Sequence, residues 1–271
     1  MALDLASTAP IGLLGAGRMG GALIEGWSRA GVLDPANLII IDPQPSDAAK
    51  ALAERGAVLN PPRWGLARIK TLLLAVKPQI WKSAAAEIAD ALAPDAVIVS
   101  IAAGVSLADI SAAFGGRRVA RIMPTTAVSI GKGVASIYAP DAEAHARAHA
   151  LFAPVATTVD LVHENLMHAA TAVSGSAPAY LYAFIEALEN AGAAAGLSEK
   201  AARRLARATI AGSSALLEIS GEEPSELRRQ VTSPGGTTQA ALEVLMGQGG
   251  LGPLLEAAVD AAIRRSKELG G

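Results

Sequence analysis

The 271-residue sequence contains no cysteine, which excludes disulfide bracing, a thiolate nucleophile and any cysteine-based metal site. Aromatic residues make up only 3%, so the core must be built from aliphatic and small side chains. Charge of either sign is sparse: charged residues reach 18%, the net charge is −2 and the pI is about 6.1. No run of consecutive basic residues exceeds two, and nucleic acid or an anionic membrane would require a concentrated basic face. Long apolar runs are missing too, the longest, such as 96–105, being roughly half of the ~20 residues a membrane span needs. The opening MALDLASTAP lacks the basic n-region and extended apolar h-region of a signal peptide and reads as a short loose tail of a cytoplasmic protein. What is abundant is small and apolar: 51% hydrophobic residues with a mean hydropathy of +0.36, much of it alanine. Such helices pack closely, and their surfaces continue readily into a subunit interface.

From Ile11 to about Ala139 short apolar runs alternate with amphipathic segments, the pattern of parallel strands joined by crossover helices. The runs are IGLL at 11–14, LIII at 38–41, TLLLAV at 71–76, VIVS at 97–100 and VARIM at 119–123, with a further short strand inside GVASIYA at 133–139. Their near-continuous apolar character implies burial on both faces, as in a doubly wound sheet. After about Val162 the strand signal stops, and helical spacing covers 164–173, 178–195, 198–219, 224–231, 238–246 and 251–268. Gly196-Leu197-Ser198 marks a helix stop followed by an N-cap. The expected fold class is therefore α/β: a Rossmann-like, doubly wound dinucleotide-binding domain over 1–162, then an all-helical domain over 163–271.

Gly15-Ala16-Gly17-Arg18-Met19-Gly20 is a GxGxxG placed directly after an apolar strand and before the helical GALIEGWSRAG. In that setting the three glycines provide a tight turn, backbone access for a pyrophosphate, and close helix–strand packing. The second strand ends at Asp42, 22 residues beyond Gly20, where a carboxylate can accept hydrogen bonds from the adenosine ribose and would repel a 2′-phosphate. Position 42 thus favours NADH over NADPH, with two competing readings: Asp42 precedes Pro43 and can cap a turn, and Arg18 can reach a phosphate. Ala75-Val76-Lys77-Pro78 and Ala102-Ala103 follow later strands, where open α/β sheets bind ligands. Small residues there permit close approach of the nicotinamide half. Lys77 either orients a ligand or is a solvated turn residue.

Serine, proline and paired glycines interrupt the helical pattern once more, in SPGGTT at 233–238 between LRRQV and TQAALEVL. A break that opens a new helix presents unpaired N–H groups and partial positive charge, suited to a small anion such as a carboxylate or phosphate. No obvious base for an alcohol proton stands near the motifs. Of the four histidines, His145 and His149 lie at i, i+4 and could share a metal ion, but the sequence offers no evident third ligand. They read as a solvated helix face, with no metal site expected, and His163 and His168 read as structural residues at the domain junction. Reduction of an imine fits better, because its nitrogen is basic enough to be partly protonated and the enzyme mainly has to position the reactants.

From Ile11 to the C-terminus the chain resembles pyrroline-5-carboxylate reductases, which reduce a cyclic imino acid to L-proline with NADPH or NADH. The resemblance rests on GAGRMG, LAVKP at 74–78, SIAAGV at 100–105, RIMPTT at 121–126, VSGSAPAYLY at 173–182 and above all VTSPGGTTQAAL at 231–242. It implies that backbone N–H groups around Ser233, Gly236 and Thr237 receive the substrate carboxylate. It implies also that the Thr238 hydroxyl hydrogen-bonds the ring nitrogen, and that helical domains interlock into a dimer or higher homo-oligomer. In the family the SPGGTT loop of one subunit then lies against the cofactor of its partner. Three places depart from the family pattern: Thr125 stands where MPNTP has asparagine, Ala177 alters GSGPAY, and an acidic residue has no clear counterpart at Gly221, with Glu222 or Glu223 as substitutes. A 3-hydroxyacid dehydrogenase would want a lysine that HAATAVSGSAPAY lacks. A non-catalytic dinucleotide-binding relative and a reductase of the six-membered cyclic imino acid remain alternatives, since one methylene is worth only ~1–3 kcal/mol of discrimination.

Overall fold

A computed structural model describes residues 3–270. Eight strands form one sheet: β1 Ile11–Leu14, β2 Leu38–Ile41, β3 Val58–Leu59, β4 Thr71–Leu74, β5 Val97–Ser100, β6 Val119–Pro124, β7 Gly133–Tyr138 and β8 Ala156–Asp160. Their order is β3-β2-β1-β4-β5-β6-β7-β8. The first six are mutually parallel, β7 runs antiparallel to β6, and β8 runs parallel to β7. Helices α1 Arg18–Arg29, α2 Asp47–Glu54, α3 Trp81–Ile88, α4 Leu107–Ala113 and α5 Ala142–Phe152 cover it.

Alternate residues of each strand feed two separate cores. Leu13, Ile40, Leu73 and Val99 pack with α1 and α5 through Leu23, Trp27, Leu151 and Phe152, while Leu14, Ile39, Leu74 and Ile98 pack with α3 and α4 through Trp81, Ile88, Ile110 and Phe114. The period-2 geometry of a strand sends neighbours to opposite faces, so a run such as LIII must be apolar throughout when both faces are covered. Trp27 is fully buried and its indole N–H donates to the Leu151 carbonyl at 2.7 Å, which ties α1 to α5. Burial of such a side chain contributes roughly 1.5–3 kcal/mol.

The chain divides into two compact units, one reaching Gly175 and including the end of the chain from Ala262, the other Ser176–Ala261. Loss of strand pattern puts the sequence boundary at 162/163. Residues 164–175, forming α6 Leu166–Ala170 and a wider π turn at Thr171–Gly175, instead stay with the sheet: Glu164 pairs with Arg121 of β6, and Gly175 lies against Met123. The second unit holds α7 Ala177–Ala194, α8 Glu199–Ser220, α9 Pro224–Gln230, α10 Thr237–Leu245 and the first part of α11 Leu251–Gly270. Gly196, at φ +102°, stops α7, and the Ser198 hydroxyl accepts from Ala201 N–H to start α8, in agreement with the sequence pattern. In α7, α9 and α10 no residue is buried, and in α8 only Ala202 and Ala206 are.

The expectation of a loose N-terminal tail is corrected. Leu5 and Thr8 are buried, and the Thr71 hydroxyl donates to the Thr8 carbonyl at 2.8 Å, so residues 5–8 are fastened to the sheet and are no loose tail. Residues 1 and 2 lie outside the described residues. Strands β3 and β8 are not predicted from sequence, because a two-residue strand and the mostly exposed ATTVD edge carry too little apolar pattern. Among the described residues no helix is long and apolar enough to cross a membrane.

Candidate functional site

Strands β1 and β4 are neighbours, yet α1 leaves β1 toward one face and α3 leaves β4 toward the other. A crevice must open at their carboxyl ends, the place where open α/β sheets bind ligands. Gly15 has φ +97°, and a Cβ there would sit 2.8 Å from the Ala75 carbonyl oxygen and 2.9 Å from Val76 Cγ1. Only glycine fits, and the 15–20 loop touches the 75–78 loop as a result. A Cβ on Gly20 would overlap the Gly15 carbonyl oxygen, whereas one on Gly17 would meet nothing within 4 Å. The protein side of the loop is thus closed at Gly15 and Gly20 and open at Gly17. That opening faces the start of α1, where no side chain caps the helix, and a cavity of about 620 Å³ lined by Gly17, Arg18, Gly21, Ser46 and Thr126 adjoins it. Ala16 is buried, Met19 half-buried and Arg18 exposed. Uncapped N–H groups beside an empty volume fit the pyrophosphate of a dinucleotide.

Asp42 is held firmly at the end of β2. One carboxylate oxygen accepts from Ala16 N–H at 2.6 Å and the other from Gln44 N–H at 2.7 Å. The second contact is the Asx turn that the sequence allowed; the first clamps the glycine loop. Asn60, at φ +48°, makes two bonds to the Asp42 backbone, accepting from its N–H at 2.9 Å and donating to its carbonyl at 2.8 Å. Sequence reasoning missed this brace; its only signal was the asparagine itself, a residue type enriched in the left-handed region among those with a side chain.

Ala102 is buried, Ala103, Val76 and Pro78 are half-buried, and Lys77 is exposed. The Thr125 departure has a structural account: its hydroxyl accepts from Val134 N–H at 3.0 Å and its own N–H donates to the Val134 carbonyl at 2.9 Å. The side chain therefore serves the junction with β7.

In the second unit, α10 begins at SPGGTT. Gly235 takes φ +67°, its N–H donates to the Gln239 side chain at 2.8 Å, and Gly236 N–H donates to the Ser233 carbonyl at 3.0 Å. The Gly236 N–H is thus already used in closing the turn, a refinement of the expected anion site. No side chain caps Thr237–Leu245 at its start; Thr237 is exposed and Thr238 half-buried. Gly221 ends α8 at φ +64°, and Glu222 accepts from the Gln230 amide at 2.6 Å.

Two further clusters lie in the first unit. Arg121 is buried and pairs with Glu164 at 2.5 Å, the same carboxylate oxygen accepting from Leu107 N–H at 2.7 Å. His168 bonds Ser266 at 2.9 Å; burial, then Arg121 and Lys267, hold its imidazole below the ordinary value. On the other side, His145 and His149 each place Nε2 2.9 Å from one oxygen of Asp160. Asp160 is the third group that the sequence did not reveal, because it reaches the pair only through β8. Its burial acts to raise its carboxyl, but the bonds from His149 and His145 prevail and hold it below the usual range.

Residues 164–269 match a family model described as pyrroline-5-carboxylate reductase dimerisation, and residues 10–104 match one described as NADP oxidoreductase coenzyme F420-dependent. The chain is 38% identical to the pyrroline-5-carboxylate reductase of Pseudomonas aeruginosa, over 97% of both chains. It is 37% identical to that of Synechocystis, over 96% of this chain and 98% of the relative. A solved structure of a pyrroline-5-carboxylate reductase from Coxiella burnetii superposes with a TM-score of 0.89 at 29% identity, covering 97% of this chain and 99% of that one. The Plasmodium falciparum pyrroline carboxylate reductase with NADP bound gives 0.82 at 27% identity, covering 97% and 98%.

Proposed function

The chain belongs to the pyrroline-5-carboxylate reductase family, and from that premise we propose that it reduces the C=N bond of pyrroline-5-carboxylate to give L-proline. The observation that carries the reading is the 38% identity over 97% of the chain to a relative of that name, joined to a glycine loop open at Gly17. Bound NADH or NADPH supplies the hydride. Gly15, Ala16, Gly17, Arg18, Met19 and Gly20 hold the pyrophosphate side, with Ala75–Pro78, Ala102 and Ala103 beside the nicotinamide half. The start of α10, with Ser233 and the Thr237 N–H, receives the substrate carboxylate, and Thr238 bonds the ring nitrogen as it becomes an amine.

In this reading the Asp42 carboxylate accepts from the ribose hydroxyls through the lone pairs left beside its bonds to Ala16 and Gln44 N–H, and its negative charge disfavours a 2′-phosphate; Lys50 pairs with Asp47 at 3.3 Å. The proposed preference is therefore for NADH. The almost coreless helices of the second unit support a homodimer or larger homo-oligomer. Leu181, Phe184 and Leu188 form an exposed apolar stripe along α7, and such a stripe in a folded chain requires a covering partner. A second copy is that partner, and each copy completes the site of the other. A cytoplasmic location fits the charge and hydropathy.

Initial rates of NADH and NADPH oxidation at matched concentrations, with the five- and six-membered cyclic imino acids, test the reading. Fast turnover of the five-membered ring, quicker with NADH, is expected. Turnover confined to the six-membered ring, or none with either, would overturn it.

A further inference from the structure

We propose that His145, His149 and Asp160 form a binding site for a divalent transition-metal ion, Zn2+ above all, remote from the reductase chemistry. The start of α5 sets the pair in place: Asp141 caps the helix by accepting from Glu143 and Ala144 N–H at 3.0 and 2.9 Å. One turn on, the i, i+4 spacing puts both imidazoles on one helix face, with ring centroids 4.5 Å apart. Strand β8 then returns along the sheet and delivers Asp160 between them. All three donor atoms lie within 4.8 Å of one another.

Two neutral imidazoles and a carboxylate are a preferred donor set for Zn2+. Bonds of ~2.0–2.2 Å in a tetrahedral site separate ligand atoms by about 3.3 Å. The present 2.9 Å between each Nε2 and the Asp160 oxygen therefore needs to open by only a few tenths of an ångström. Side-chain exposures of 41%, 30% and 54% give an entry path and freedom to rotate. A cavity of about 570 Å³, walled by Leu5, Val32 and Ala150 among others, adjoins the cluster and leaves room for water at a fourth position. The other carboxylate on that cavity, Asp4, is occupied by Ser7. Because β7 and β8 run against β1–β6, the end of β8 lies at the edge of the sheet opposite the glycine loop. An ion there clamps α5 to the edge strand and takes no part in hydride transfer.

The experiment is a calorimetric titration of the EDTA-treated full chain with Zn2+, alongside thermal melting with and without the ion. Saturation at one ion per chain and a raised melting temperature are expected. Asp160→Asn, which keeps an acceptor for both imidazoles, and His149→Gln should each weaken binding by about tenfold or more and abolish the shift. Both variants should retain wild-type turnover, and melting without metal reports whether they fold. Absence of saturable binding by the wild-type chain would overturn the proposal, leaving an ordinary ion-paired cluster. Binding undiminished in both folded variants would overturn it equally.

Discussion

Gly17 and Gly20 stand three positions apart in one glycine motif, at the N-cap and in the first turn of α1, yet alanine should injure the protein differently at each. At Gly20 the added Cβ collides with the Gly15 carbonyl, whose oxygen it overlaps and whose carbon would lie 3.1 Å away. That obstacle is backbone, fixed by the Gly15 N–H bond to Ile41 at 2.9 Å, so α1 must retreat by about 1 Å to restore normal contact. Overpacking of this kind costs about 1–3 kcal/mol. A mid-range 2 kcal/mol lowers the melting temperature by about 4–8 °C in a unit of this size. At Gly17 the Cβ meets nothing within 4 Å, so the fold should lose only about 1 kcal/mol, the cost of alanine in place of glycine at the N-cap of α1. The same Cβ fills the space proposed for the pyrophosphate, and at least about 1.4 kcal/mol of binding, a tenfold rise in KM for the dinucleotide, is expected. Melting curves without cofactor, paired with KM values for NADH, separate the two. A Gly17→Ala protein that melts as low as Gly20→Ala, or that binds dinucleotide normally, would show that the open side of the loop does not face the phosphates.

Thr238→Val keeps the shape and removes the hydroxyl; kcat should fall by about 10–100-fold with melting unchanged, and an unaltered kcat would remove Thr238 from the reaction. Asp42→Ser should move the NADH to NADPH rate ratio toward NADPH by about tenfold, while an unchanged ratio would show that Asp42 serves only its bonds to the glycine loop and the turn. Glu164→Gln leaves the buried Arg121 without its counter-charge; since Glu164 is itself 31% exposed, a loss of about 2 kcal/mol is expected. Adding Arg121→Met should recover part of that loss, and wild-type melting of the single variant would refute the pairing. For His168 the folded imidazole lies below its ordinary value of 6.5, so the unfolded chain takes the proton first. Stability should therefore fall as pH drops from 6.5 toward the lowered folded value and level off beneath it. His168→Gln should flatten that slope, and an identical slope would assign it to other groups.

The doubly wound sheet was legible because burial on both faces demands uninterrupted apolar strands, and LIII or VIVS admits few other readings. The helix limits of the second unit were legible from Gly196, Ser198 and SPGGTT, whose effects act within a turn of the chain. The glycine loop was legible for the same reason: turn, contact and packing all involve residues adjacent in sequence or on adjoining strands. The edges were not, since β8 gains its place by pairing with β7 and carries little pattern of its own.

By itself, then, the sequence determined the order of the elements with strong pattern, the glycine-rich turn after β1 and the resemblance that names the reaction, because local backbone preferences and periodic burial are written residue by residue. Tertiary structure alone decided what long separations bring together. It set Asn60 behind Asp42, turned the Thr125 hydroxyl toward Val134, placed Glu164 on Arg121 and inserted Asp160 between His145 and His149. Those groups meet through strand pairing and helix packing, and no spacing along the chain records the distance that packing will leave between them.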